Sequence, residues 1–100
     1  MKKVYVCSPL AGDADRNIER AKEYCRLVTG KGHLPIASHI YFTQFLDDES
    51  PKDRKTGMDM GLELLRLCDE IWVFGDKISV GMTEEINFAK KLSKKIFYKN

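Results

Sequence analysis

Apolar residues along this chain follow two rhythms, short unbroken runs and runs spaced by three or four. Lys3 to Cys7 is a β-branched and aromatic run closed by Ser8-Pro9, which predicts a buried first strand. Ile18, Ala21, Cys25 and Val28 then recur at helical spacing behind Asp13 or Asp15, either of which can cap the helix, and Gly30-Lys31-Gly32 stops it. His33 to Ala37 reads as a short second strand, with Pro35 suited to an edge or a strand end. Ser38 to Ser50 is the least regular stretch. Ile40, Tyr41, Phe42, Phe45 and Leu46 supply bulk before Asp47-Asp48-Glu49-Ser50-Pro51 breaks the pattern. A short helical turn fits here, and so long a connection in a small domain is usually functional or a lid.

A second long helix is expected from around Lys55, with Met58, Leu62, Leu65 and Cys68 on one face. Ile71 to Phe74 is continuously apolar, as suits a strand covered on both faces. A third helix runs from about Met82 to Leu92 over Ile86, Phe88 and Ala89, and Lys95 to Tyr98 is a last short strand. This alternation predicts an α/β domain spanning residues 1–100. It would be a small doubly wound, Rossmann- or flavodoxin-like three-layer sandwich on a four-stranded parallel sheet of order 2-1-3-4.

Bulk properties narrow the function. With 17 basic against 15 acidic residues the net charge is +2, which is no nucleic-acid footprint, so nucleic acid is not an expected partner. The lysines from Lys90 to Lys99 read as a solvated helix face and tail. No run approaches membrane-spanning length, and Met1-Lys2-Lys3-Val4 enters a strand at once, so neither leader nor membrane contact is expected. Cys7, Cys25 and Cys68 are scattered among apolar residues, which fits a reducing, cytoplasmic setting and small buried thiols; no metal-ligand spacing occurs, and no cofactor is expected. Tyr41, Phe42, Phe45 and Leu46 exceed what one small core needs, which predicts a homodimer or larger assembly.

Three loops should meet at the carboxyl end of the sheet: Ser8 to Asp13, the region after Ala37, and Gly75 to Thr83. Neither a Gly-x-Gly-x-x-Gly nor a Walker pattern is present, so dinucleotides and nucleoside triphosphates are poor ligand candidates. The Ser8-Pro9-Leu10 segment reads equally as a phosphate- or hydroxyl-binding loop and as a strand-ending turn. Glu84 and Glu85 fall in the expected first turn of the third helix, where the dipole would hold a carboxylate ionised. Dipole complementation alone explains acids there; a nucleophile facing the crevice is the sharper reading. His39 could reach the crevice or be a hydrogen-bonded structural group, and Arg54 and Arg16 are candidate anion ligands or solvated surface. A response-regulator reading fails, because Cys7 and Ser8 stand where acids are needed.

Several of these segments together resemble the nucleoside 2-deoxyribosyltransferase superfamily. They are Ser8-Pro9-Leu10-Ala11-Gly12 after the first strand, Cys68-Asp69-Glu70-Ile71-Trp72-Val73, and Ser79-x-Gly81-x-x-x-Glu85-Ile86-x-x-Ala89. Gly32-His33-x-Pro35, Ser38-His39, Arg54-x-x-Gly57-Met58 and Gly81-Met82-x-x-Glu85-Ile86 bring it nearest to small members of unassigned function. The resemblance implies a deoxynucleoside or deoxynucleoside monophosphate as substrate and Glu85 as the nucleophile on the anomeric carbon. By the same likeness Ser79 stands where a serine suits a phosphate or sugar hydroxyl, and Tyr5 and Ser8 line the sugar pocket. Pro9, Leu10, Gly12, Arg54, Gly81 and Met82 are the remaining ligand-contact candidates. The superfamily's second carboxylate falls at Gly61 here; Asp59, the nearest acid, takes that role only if the helix start is adjusted, and His39 is the other candidate helper. The alternative function is a binding module that holds a nucleotide in this pocket without turnover.

Overall fold

The computed structural model describes residues 1–99. Four strands, β1 (Lys3–Cys7), β2 (Leu34–Ile36), β3 (Glu70–Phe74) and β4 (Lys95–Lys99), form one parallel sheet in the order β2-β1-β3-β4. Parallel neighbours require crossovers, and the helices supply them. These are α1 (Ala14–Gly30), the short α2 (Ser38–Phe42), α3 (Pro51–Leu67) and α4 (Val80–Lys91). The α/β architecture and strand order read from the pattern are therefore those observed. Pro35 lies in the outer strand β2, in register with Val4.

The two sheet faces carry different side chains because the strand period is two. Tyr5, Cys7, Ile71 and Val73 point to the face covered by α3 and α4, where they pack with Leu65, Met82, Ile86 and Ala89. Val4, Val6, Trp72 and Phe74 point the other way, onto Val28, Tyr24 and Cys25 of α1. All five residues of β3 are buried: Ile71 to Phe74 as an apolar run, and Glu70 with its carboxylate accepting from Trp72 Nε1 at 2.9 Å.

Two helix starts differ from expectation, each for a local reason. α3 begins at Pro51, because the Ser50 side chain accepts the Asp53 N–H at 3.3 Å and proline suits the first helical position. α4 begins at Val80, because Ser79 caps it by accepting the Met82 N–H at 3.2 Å. Glu84 and Glu85 consequently sit in the second turn of α4, not the first. That change governs the chemistry below.

Candidate functional site

Glu85, in the second turn of α4, lies beside Ile86 on the helix face that packs against β1, and it is 4% exposed. A carboxylate so enclosed needs donors, and β1 provides them from two alternate positions. The Tyr5 hydroxyl donates to Glu85 Oε2 in a very short bond, and the Cys7 thiol lies 3.3 Å from Oε1. The expectation that the helix dipole holds this group ionised is overturned. Burial dominates and pushes its pKa up to about 7; the Tyr5 and Cys7 bonds pull the other way, and the nearby Glu84 adds to the rise. The same enclosure and the charge of Glu85 push the Tyr5 and Cys7 protons on tightly, so both remain donors.

Glu85 borders a cavity of about 80 Å³ at the carboxyl end of the sheet, with room for several waters or a small polar group. Its floor is Ser8, Ser38, Met82 and Glu85; Leu10, Phe42, Leu46 and Met58 form apolar walls; Asp48, Asp53 and Arg54 stand at one side. Of the residues expected here, Glu85, Ser8, Leu10, His39, Arg54, Ser79, Gly81 and Met82 do line this cleft. Tyr5 lies beneath it, fully buried, and reaches the cleft through Glu85 and through Ser38 Oγ at 2.9 Å.

Three expected residues are elsewhere. Asp59 faces solvent and pairs with Lys55 at 3.1 Å, beside the exposed Glu84 in a separate outer depression. The two-residue offset from Gly61 turns a helical side chain by roughly 200°, which is why it cannot enter the cleft. Pro9 packs toward Gly75 and lines a depression on the α1 side with Asn17 and Arg20. Gly12 is exposed with φ of 102°, so it serves the turn into α1.

The inward position on α3 is Gly61 itself. A Cβ there would lie 3.2 Å from Tyr5 Oη and 3.6 Å from Ser38 Oγ, so the hydroxyl pair occupies the space a side chain would need. His39 Nε2 donates to the Ser8 carbonyl at 2.9 Å, tying α2 to the end of β1, and burial lowers its pKa toward the neutral form. Ser8 Oγ is buried at the cleft without a hydrogen-bond partner among the described residues. Arg54 is paired with Asp48 at 3.3 Å. Ser38, Cys7, Phe42, Asp48 and Asp53 went unread as site residues. The sequence marks Cys7 as a small buried thiol, and its bond to Glu85 spans 78 positions, which no local pattern reveals. Among the described residues no group of acids, histidines and cysteines could hold a metal, and no helix is long and apolar enough to cross a membrane.

This arrangement is built on the fold of the 2-deoxyribosyltransferases. The structure superposes on such an enzyme from the psychrotolerant bacterium Bacillus psychrosaccharolyticus, described as a biocatalyst for antiviral and antitumoral nucleoside synthesis. The TM-score is 0.75 at 17% identity, covering 96% of this chain and 70% of that one. It also superposes on the Leishmania mexicana 2-deoxyribosyltransferase with a TM-score of 0.64 at 20% identity, covering 98% of this chain and 63% of that one. By sequence, the chain belongs to the family described as Domain of unknown function (DUF7768), whose model matches residues 2–99. No curated protein matches it in sequence.

Proposed function

We propose that the protein cleaves or exchanges the N-glycosidic bond of a deoxynucleoside or its monophosphate, with Glu85 as nucleophile. The observation that carries this reading is a buried carboxylate, gripped by Tyr5 and Cys7, at the floor of a cleft at the sheet's carboxyl end. An ionised Glu85 oxygen would bond to the anomeric carbon as the carbon–nitrogen bond breaks, and the electron pair would leave with the base, which takes up a proton. Water, or a second base, would then attack the same carbon, releasing the sugar and restoring the carboxylate. A pKa near 7 leaves a substantial ionised fraction at neutral pH. Ser8 Oγ, without a hydrogen-bond partner among the described residues, suits a ligand hydroxyl or phosphate oxygen, and Ser79 and Arg54 border the same space. His39 stays a helper, through its grip on the Ser8 carbonyl.

A second reading is favoured by Gly61. With glycine at the inward position 61 of α3 and Asp59 turned outward, the expected second carboxylate is missing from that place. The only carboxylate α3 brings to the cleft is Asp53, as a module that binds a nucleotide without turnover would tolerate. Incubating the protein with each deoxynucleoside and its 5′-monophosphate, then separating free base by chromatography, decides between them. Base release that disappears in Glu85→Ala supports catalysis; ligand that binds and survives intact supports the module. We also infer self-association through the exposed Tyr41 and Phe45 rings, which pack edge to face 5.3 Å apart.

A further inference from the structure

We propose that Ser38 is a positioning residue for Glu85: its hydroxyl donates to Tyr5 Oη, committing the one phenolic proton to the Glu85 carboxylate. This rests on the reading of Glu85 as the reacting group. The direction of each bond follows from proton counting. An ionised carboxylate only accepts, so in the short contact Tyr5 is the donor to Oε2. Tyr5 then has no second proton, and the 2.9 Å contact with Ser38 Oγ must be made with the serine proton. Tyr5 is fully buried and Ser38 meets solvent only through the cleft it lines, so the bond is largely shielded from bulk water.

Gly61 is the independent sign that this pair is built. Any side chain there would press on Tyr5 Oη first and on Ser38 Oγ next. The chain thus has glycine where the pair needs space. Ser38 is presented by the turn from β2, the neighbour of β1, into α2, so its distance from Tyr5 is set by the sheet. Hydrogen bonds in series polarise one another, so donation by Ser38 makes the Tyr5 proton a stronger donor to ionised Glu85. Other charged or titratable groups also face Glu85: Cys7 from β1, Glu84 on α4, His39 from α2, and Asp48, Asp53 and Arg54 across the cleft. Of these, Cys7 also bears electrostatically on Tyr5, and the Tyr5→Phe background below separates the Ser38 effect from them.

The test is a carbon-13 carboxyl titration of Glu85, assigned by its loss in Glu85→Gln, run in the free protein. Ser38→Ala should raise the Glu85 midpoint by about half a unit. Ser38→Thr, which keeps the hydroxyl, should restore the wild-type midpoint. In a Tyr5→Phe background, Ser38→Ala should add no shift. Where base release is measurable, the acid limb of the kcat profile should move with the midpoint while KM stays. A wild-type midpoint in Ser38→Ala, or an equal shift with and without the Tyr5 hydroxyl, overturns the relay. Should Ser38→Ala not fold, Ser38→Cys, a weak donor, must show a smaller shift of the same sign, and none overturns it. Absence of base release in the wild type would count against catalysis while leaving the titration outcome standing, so the two failures are separable.

Discussion

The Cys7 thiol reaches Glu85 Oε1 at 3.3 Å while Tyr5 takes the other oxygen, so one strand holds both ends of one carboxylate. A thiol is a weak donor, and a hydroxyl of nearly the same size is a stronger one. Cys7→Ser should therefore lower the Glu85 pKa from about 7, by up to about one unit. The check is the acid limb of the base-release profile, which should move to lower pH; a shift upward would contradict the role given to Cys7.

Burial of Glu85 makes stability depend on pH in a definite direction. Its folded pKa, near 7, lies above the ordinary value of 4.5, so the folded state binds more protons between those limits. The contribution of Glu85 to stability is greatest below 4.5, declines as pH rises toward 7, and is level above it. The loss amounts to about 3 kcal/mol, an order-of-magnitude figure from about 1.4 kcal/mol per unit. Urea unfolding of wild type and Glu85→Gln across this range should show the decline only in the wild type.

Ser79 both caps α4 and borders the cleft, and two substitutions separate these roles. Ser79→Ala should cost about 1 kcal/mol of stability through loss of the cap. Ser79→Asp caps as well as serine, so stability should be kept, while like-charge repulsion weakens binding of a monophosphate more than of the nucleoside. Thermal melts and binding titrations with the two ligands read the difference. Equal effects on both would remove the phosphate from the account of Ser79.

At Gly61 a methyl group gains helix propensity worth about 1 kcal/mol but meets Tyr5 Oη at 3.2 Å. Gly61→Ala should accordingly change stability by less than about 1 kcal/mol in either direction while markedly lowering base release. Full activity in this variant would mean that the crowding is absorbed without disturbing the Tyr5–Ser38 pair.

For the outer aromatic surface, Tyr41→Ser with Phe45→Ser should leave the fold intact, because both side chains are exposed. Light scattering should then give a smaller species than the wild type. A wild-type protein already monomeric at 11.5 kDa removes the self-association inference.

The strands and the sheet order were legible because continuous apolar runs such as Ile71 to Phe74 leave little choice of environment. Glu85 was legible as a position, not as a state. The expected start of α4 at Met82 put it beside the helix dipole, whereas the Ser79 cap starts the helix two residues earlier, and Glu85 lies under the surface on the face shared with Met82, Ile86 and Ala89. Ser79, three residues before Met82, was a readable cap signal that the apolar pattern alone passed over. Asp59 misled for the opposite reason. An acid is conspicuous in a sequence, while the position that faces the site holds glycine, whose meaning appears only when Tyr5 and Ser38 are seen beside it.

The bond from Tyr5 to Glu85 joins residues 80 positions apart, across β1, β3 and the start of α4. Nothing near the amino terminus can assemble this centre by itself. During synthesis, β1 emerges 80 residues before its partner and waits for it. The Tyr5–Glu85 pair thus forms only once α4 is made, and a product cut short before α4 lacks the carboxylate however well its earlier helices form.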